Sequence, residues 1–270
     1  MSQPLVLSYV FTLLCLLLGA PFLLFKVARR ARGASMPIVH GLMWGVGSET
    51  LFVLVLNGAF RGLRLGVLEA PVAMAVAGAL WALCVEGTRR VALGRASPGF
   101  RTTRAAAHFG LGWGCGVAAY KGVLLLASLW GGIYVDPEQA LAAFPEAERE
   151  ALRELLGRQR TQLLEASPLR PPLEHVLQYG LDAFYHLVFT LVVVRTWTRG
   201  ESAAWLKAAG MHAMLNGLAA ALFAAWPGWP GLLLVLILYG AIVPPTYRWA
   251  ARQIVTENGR GPGPSAGRAG

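Results

Sequence analysis

Eleven side chains of this sequence carry charge, imidazole or amide groups in or beside stretches otherwise suited to lipid: His40, Glu49, Glu86, Arg89, Arg90, His108, Lys121, Asp182, His186, His212 and Asn216. A charged group near the bilayer centre costs on the order of 2.5 to 3.5 kcal/mol, so each needs a partner, a cavity or a purpose. Carboxylate and imidazole together are the groups of proton transfer, and an amide adds a hydrogen-bond donor. Their spacing gathers them. On one stretch His175, Tyr179, Asp182 and His186 follow steps of four, three and four, which gives a helix one polar face along its length. His212 and Asn216 are four apart and face one way; Glu86 and Arg90 are also four apart, an ion pair on one helix face. Each residue also has a plainer reading. A histidine in a span can be a hydrogen-bonding packing residue, Glu86 with Arg90 can be a neutralised pair at the membrane edge, and Glu49 can pair with Lys121 across helices.

The elements that must position these groups follow from composition. With 56% hydrophobic and 14% charged residues, against about 25% charged in an average soluble domain, the chain cannot cover its surface with charge. A span takes about 20 mostly apolar residues, and the stretches 4–28, 36–60, 66–87, 105–130, 173–194, 203–226 and 228–250 meet that length. The expected fold is an all-α polytopic membrane bundle of about seven transmembrane helices, with one extramembrane amphipathic helix. The helical domain covers 1–252 and a Gly/Pro-rich basic tail, read as disordered, covers 253–270. The first stretch has no basic residue before it and Lys26, Arg29, Arg30 and Arg32 after it, the reverse of a signal peptide.

Charge sets the orientation. Lys26 to Arg32, Arg89 to Arg104, Arg195, Arg199, Lys207 and the basic residues from Arg248 onward fall on one side of this topology. Positive-inside then puts the N-terminus outside and the C-terminus in the cytoplasm, in a bacterial inner membrane. The net charge of +10 is therefore a topology signal and gives no reason to expect nucleic acid. On this orientation the third stretch ends inward at Glu86, and His108, His186 and His212 lie in the same cytoplasmic half on the next three helices. The outer segment 131–172 holds the helix former run 145–166, with Leu152, Leu155, Leu156 and Leu163 at roughly helical spacing.

Several chemistries lack support. Cys15, Cys84 and Cys115 lie in apolar runs without CxxC spacing, so no disulfide framework or zinc site is expected. Neither a metal nor another cofactor is called for. Gly110, Gly112, Gly114 and Gly116 stand in an apolar run with GxxxG spacing, which suits close helix approach rather than a phosphate loop. HExxH, GxSxG and Walker motifs are absent.

The order of a Glu–Arg motif, a Phe-and-His motif and HxxxN on successive helices resembles the glutamic-type intramembrane proteases of the CAAX-processing and bacteriocin-processing superfamily, most closely the YhfC branch. The resemblance spans roughly Leu80 to Asn216. Where that family carries a Glu pair and then Arg, this chain has Val85-Glu86-Gly87-Thr88-Arg89-Arg90, a single carboxylate on either alignment. Where the branch has Phe-Gly-Leu-Gly-His-Gly, the chain reads Phe109-Gly110-Leu111-Gly112-Trp113-Gly114, with tryptophan in the place of histidine. His212 to Asn216 matches HxxxN intact, and Glu174 with His186 is similar to a further pattern of the branch, His175 standing where Arg would be. The resemblance implies that Glu86 activates water for peptide hydrolysis and that His212, Asn216 and His186 stabilise the oxyanion. Arg89, Arg90, His108, Asp182 and Trp113 then support the site. The implied partners are membrane lipid and a membrane-embedded peptide or protein, with the oligomeric state left open. With two of three motifs incomplete, a non-catalytic relative that binds a peptide through the same cavity stands as the alternative. A small transporter using Glu49, Lys121 and Asp182 ranks last, since no inverted repeat is visible.

Overall fold

The computed structural model describes residues 1–19, 21, 22, 24, 26, 35–62, 69–95, 102–142, 146–198, 202–226 and 228–258; some side chains inside its helices, including those of Asp182, Leu152 and Leu155, lie outside that description. Every regular element among the described residues is a helix. They are α1 (Gln3–Leu14, continued by the π-helical turn Cys15–Gly19), α2 (Ser35–Gly62), α3 (Ala70–Arg95), α4 (Thr103–Tyr134), α5 (Pro137–Leu141), α6 (Glu146–Leu164), the π-helical segment Pro172–Leu177 leading into α7 (Gln178–Thr198), α8 (Ser202–Ala225) and α9 (Trp229–Asn258). Five of these contain stretches long and apolar enough to cross a membrane: Ser35–Val55, Ala70–Arg95, Thr103–Tyr134, Trp205–Ala225 and Trp229–Thr246. The chain is a multi-pass membrane protein built as an all-α bundle.

Two expected spans are represented by shorter apolar helices, Gln3–Gly19 and Ala183–Val194. In the second case the helix itself, α7, runs from Gln178 to Thr198 behind the π-helical segment, and 183–194 is the longest unbroken part of it whose side chains are described. A correction applies to the third stretch. Its helix starts at Ala70 and runs on to Arg95, so Glu86 lies more than two turns inside the helix rather than at its inward end. The helix tolerates the polar run Glu86 to Arg90 because those side chains find partners within the bundle. A second correction concerns the tail: α9 continues through Asn258, so 253–258 extend the helix, and 259–270 lie outside the described residues.

Packing is set by small residues, as it must be where lipid removes the hydrophobic drive between helices. The four glycines of α4 form two stripes. A Cβ at Gly110 would lie 2.7 Å from Leu187 Cα, and Gly114 abuts Ala183, both on α7; Gly112 and Gly116 press on Ile38 and Leu42 of α2. Helix α2 answers with Gly41 against Phe109 and Gly45 against Trp113. On the other side of the bundle Gly78 of α3 meets the Asn216 backbone of α8, and Gly217 meets Ala75. Helix α4 is thus clasped between α2 and α7, while α3 lies along α8. Outward, Leu54, Met211, Met214, Leu233 and Ile237 are exposed, as lipid-facing positions are. The α8–α9 turn rests on Gly228, whose φ of 89° lies in the region that only glycine enters freely.

The expected outer helix forms as α6. Its N-terminal side is tied to α5, where Asp136 caps by accepting from the Glu138 N–H at 3.0 Å, and Arg153 reaches both Glu138 oxygens at 2.9 and 3.0 Å. At its far end Leu163 packs on Leu5, Tyr9, Leu125 and Leu129, and the Tyr9 hydroxyl donates to the Leu163 carbonyl at 2.8 Å. It therefore rests on the ends of α1 and α4.

Candidate functional site

Helices α3, α4, α7 and α8 converge on one buried polar cluster. Glu86 and Arg89 come from α3, His186 from α7 and His212 from α8, and all four are fully buried. Glu86 Oε1 accepts from the Arg89 guanidinium and from His212 Nδ1 at 2.6 Å. The other arm of Arg89, Nη2, lies 2.7 Å from His186 Nδ1. A guanidinium has no acceptor, so His186 accepts at Nδ1 and carries its proton on Nε2; His212, facing a carboxylate, donates from Nδ1. The His186 and His212 rings lie 6.3 Å apart.

The cluster leaves polar atoms without partners. Glu86 Oε2, His186 Nε2 and His212 Nε2 are buried and make no hydrogen bond among the described residues. Buried polar atoms are normally paired, and exceptions gather where water, substrate or chemistry belongs. Glu86 Oε2 is thus an unpaired acceptor and His186 Nε2 an unpaired N–H donor, with His212 Nε2 and Arg89 Nε also unpaired beside them.

No family model, curated protein or solved structure matches this chain. The geometry has to carry the functional reading alone.

Of the residues singled out in the sequence, the structure joins Glu86, Arg89, His186 and His212. Trp113 belongs with them: its ring lies under the Arg89 guanidinium at 5.1 Å and 6.4 Å from the His186 ring. Trp113 of α4 thus forms an aromatic wall of the cluster, and α7 supplies an imidazole beside it. His108 is absent from these contacts, as its place five residues before Trp113 on the helix would require.

The expected Glu86–Arg90 pair is replaced by Glu86–Arg89. Positions three and four residues on lie on opposite flanks of Glu86, at about −60° and +40° around the helix. Arg89 turns toward α4 and α7, while Arg90 turns toward α8 and sits 4.6 Å over the Trp205 ring. Asn216 lies one turn beyond His212 but bonds elsewhere: Nδ2 donates to the His212 carbonyl at 3.2 Å, and Oδ1 accepts from Tyr239 on α9 at 3.2 Å. The Asp182 side chain lies outside the described residues. The polar face expected on this segment continues with His175 and Tyr179, whose rings stack at 5.8 Å.

Glu49 and Lys121 pair across helices at 2.9 Å. Trp81, which belongs to no motif of the sequence, links this pair to the cluster: its indole N–H donates to Glu49 Oε1 at 2.6 Å and its ring meets His212 and His186 edge-on at 5.5 and 5.9 Å. Tyr185 and Phe189 close the other side of His212, with ring centroids at 4.6 and 4.9 Å. Tyr185 and Phe189 are four apart on α7 and so share the face turned to His212. Among the described residues no group of three or more His, Cys, Asp or Glu is placed to hold a metal ion; the guanidinium of Arg89 occupies the place between the Glu86 carboxylate and the His186 imidazole.

Proposed function

We propose that this protein is an intramembrane peptidase of the glutamic type, related to the YhfC branch that its motifs resemble, seated in a bacterial inner membrane with its N-terminus outside. Glu86 is the general base: Oε2 takes a proton from water as the water attacks a peptide carbonyl, and the same proton then passes from Oε2 to the leaving amine as the C–N bond breaks. His186, through Nε2–H, donates to the oxyanion that forms. His212 holds the carboxylate through Oε1, so that Oε2 alone is left for the reaction, and Arg89 orients both Glu86 and His186. The observation that carries this reading is the coincidence, in one buried cluster, of an unpartnered carboxylate oxygen and an unpartnered imidazole N–H.

The test is cleavage of a membrane-peptide library by the purified full-length chain in liposomes. Wild-type cleavage that disappears in Glu86→Gln and falls by about 100- to 1,000-fold in His186→Ala supports the reading. Cleavage that survives Glu86→Gln removes Glu86 as the base. Full burial of the cluster and the Trp113 wall favour a second reading, a non-catalytic relative that binds a membrane peptide there. That reading predicts peptide binding without cleavage, weakened by Trp113→Ala.

A further inference from the structure

Away from the buried cluster, where α6 crosses the Tyr134 end of α4, lies a cavity of about 560 Å3 that none of Glu86, Arg89, His186 and His212 lines. Ligand pockets typically enclose roughly 300 to 1,000 Å3, so this one is of ligand size. Its walls divide by chemistry. Leu124 and Leu125 of α4, Leu156 and Leu163 of α6, and Tyr9 of α1 give it an apolar side, while Lys121, Arg160 and Arg170 face it with Glu174.

The three cations are not equivalent. Arg170 is taken by Glu174 at 2.7 Å, and Lys121 is anchored from inside the bundle by Glu49 at 2.9 Å. Arg160 has no carboxylate within ion-pair distance among the described residues and is exposed. Among the described residues, the cavity thus joins an apolar wall to a positive charge that no carboxylate pairs. It also lies at the level of Trp130 and Tyr134, an exposed aromatic pair at the end of α4, the kind of residues that mark a membrane–water interface.

We propose that this cavity binds a single-chain anionic amphiphile, its acyl chain along Leu124, Leu125, Leu156 and Leu163 and its anionic head at Arg160 with Lys121 beside it. A peptide fits less well, because its backbone N–H and C=O groups need partners that a leucine wall does not offer. The head is a carboxylate or a phosphate, since a guanidinium pairs with either in two parallel hydrogen bonds. Helix α6 is then a roof whose apolar residues complete the site, which gives the outer segment a task of its own.

The experiment uses the full chain in a neutral maltoside detergent, titrated with oleate, with lysophosphatidate and with uncharged monoolein, and read by native mass spectrometry. Expected is saturable binding of one anionic amphiphile per chain, at least tenfold tighter than monoolein, with the better of the two anions identifying the head. Arg160→Glu should weaken that binding at least tenfold and Arg160→Lys should restore most of it. Because Arg160 is exposed, the thermal midpoint of the ligand-free variants should stay at the wild-type value. Equal affinity for monoolein, or binding indifferent to Arg160→Glu, overturns the proposal. The inference does not rest on the peptidase reading: Glu86→Gln should bind the amphiphile as wild type does, and a loss of binding in that variant would count against two separate sites.

Discussion

Arg89 and Arg90 are neighbours in sequence, yet one is buried against Glu86, His186 and Trp113 and the other lies over Trp205 near the surface. Their substitutions should therefore separate. Removing one member of a buried ion pair strands the other, at about 3 to 5 kcal/mol, so Arg89→Ala should lower the thermal midpoint in detergent severely. Arg90 is exposed; Arg90→Ala gives up its cation–π contact, which is about 0.5 to 2 kcal/mol, strands no buried carboxylate, and should be milder. Equal losses in the two variants would mean that the Glu86–Arg89 pair is not the one that holds the carboxylate. Replacing both members, Glu86→Leu with Arg89→Leu, should recover part of the loss of Arg89→Ala, since no stranded charge remains. At this scale the sequence was half legible. The spacing of four singled out Arg90 as the partner of Glu86, but which flank faced the imidazoles depended on the rotation of α3 against its neighbours, fixed on the α8 side by Gly78, Gly217 and their contacts. In the same way HxxxN marked His212 and Asn216 together, but the amide is held away from the carboxylate by the His212 carbonyl and by Tyr239 on α9.

Glycine position divides the helices of the bundle into those that touch and those that do not. A side chain at Gly112 must displace the backbone of α2, and one at Gly114 the backbone of α7, whereas Gly47 on α2 has open space around its missing Cβ. Overpacking costs typically 1 to 3 kcal/mol, and more is expected against backbone, which cannot rotate away. Gly112→Leu and Gly114→Leu should thus unfold at markedly lower temperature, while Gly47→Ala should be neutral or gain up to about 1 kcal/mol in helix propensity. A destabilised Gly47→Ala with intact Gly112→Leu would reverse the assignment of faces. The GxxxG spacing made this close approach legible, and the structure adds that the two stripes serve different neighbours. On the α5–α6 segment, Arg153 donates to Glu138 and holds its carboxyl below the usual range. A carboxyl lowered on folding contributes stability above its unfolded value, about 4.3, and loses it as pH falls through the folded value. Limited proteolysis of the α5–α6 segment should therefore stay slow at neutral pH and accelerate only as the medium is taken below about pH 4. An increase in cleavage on raising pH from 4 to 7 would contradict the sign.

For the molecule as a whole, composition and hydropathy sufficed for an all-α membrane bundle, because backbone groups in lipid must be satisfied within each spanning segment and helices do that without knowledge of neighbours. What hydropathy could not reveal was the extent of α3 past Glu86 to Arg95, since a polar run inside a helix is compatible with lipid only through contacts made by other helices. The orientation remains a matter of charge, and it decides where both proposed sites lie. Arg95 and the basic residues after Ala225 stand at one end of the bundle's topology, and α5 and α6 at the other. If positive-inside governs this chain, then the end of α3 nearer Glu86 faces the cytoplasm and the Arg160 cavity faces outward, so a peptide and an amphiphile would reach the protein from opposite leaflets. A single cysteine introduced at Glu150, exposed on α6, should react with a membrane-impermeant maleimide added outside intact cells, and one introduced at Arg252, exposed near the end of α9, only after the membrane is opened. Wild-type protein supplies the background for Cys15, Cys84 and Cys115. Labelling at Arg252 but not at Glu150 in intact cells would invert the topology and place the amphiphile cavity on the cytoplasmic leaflet.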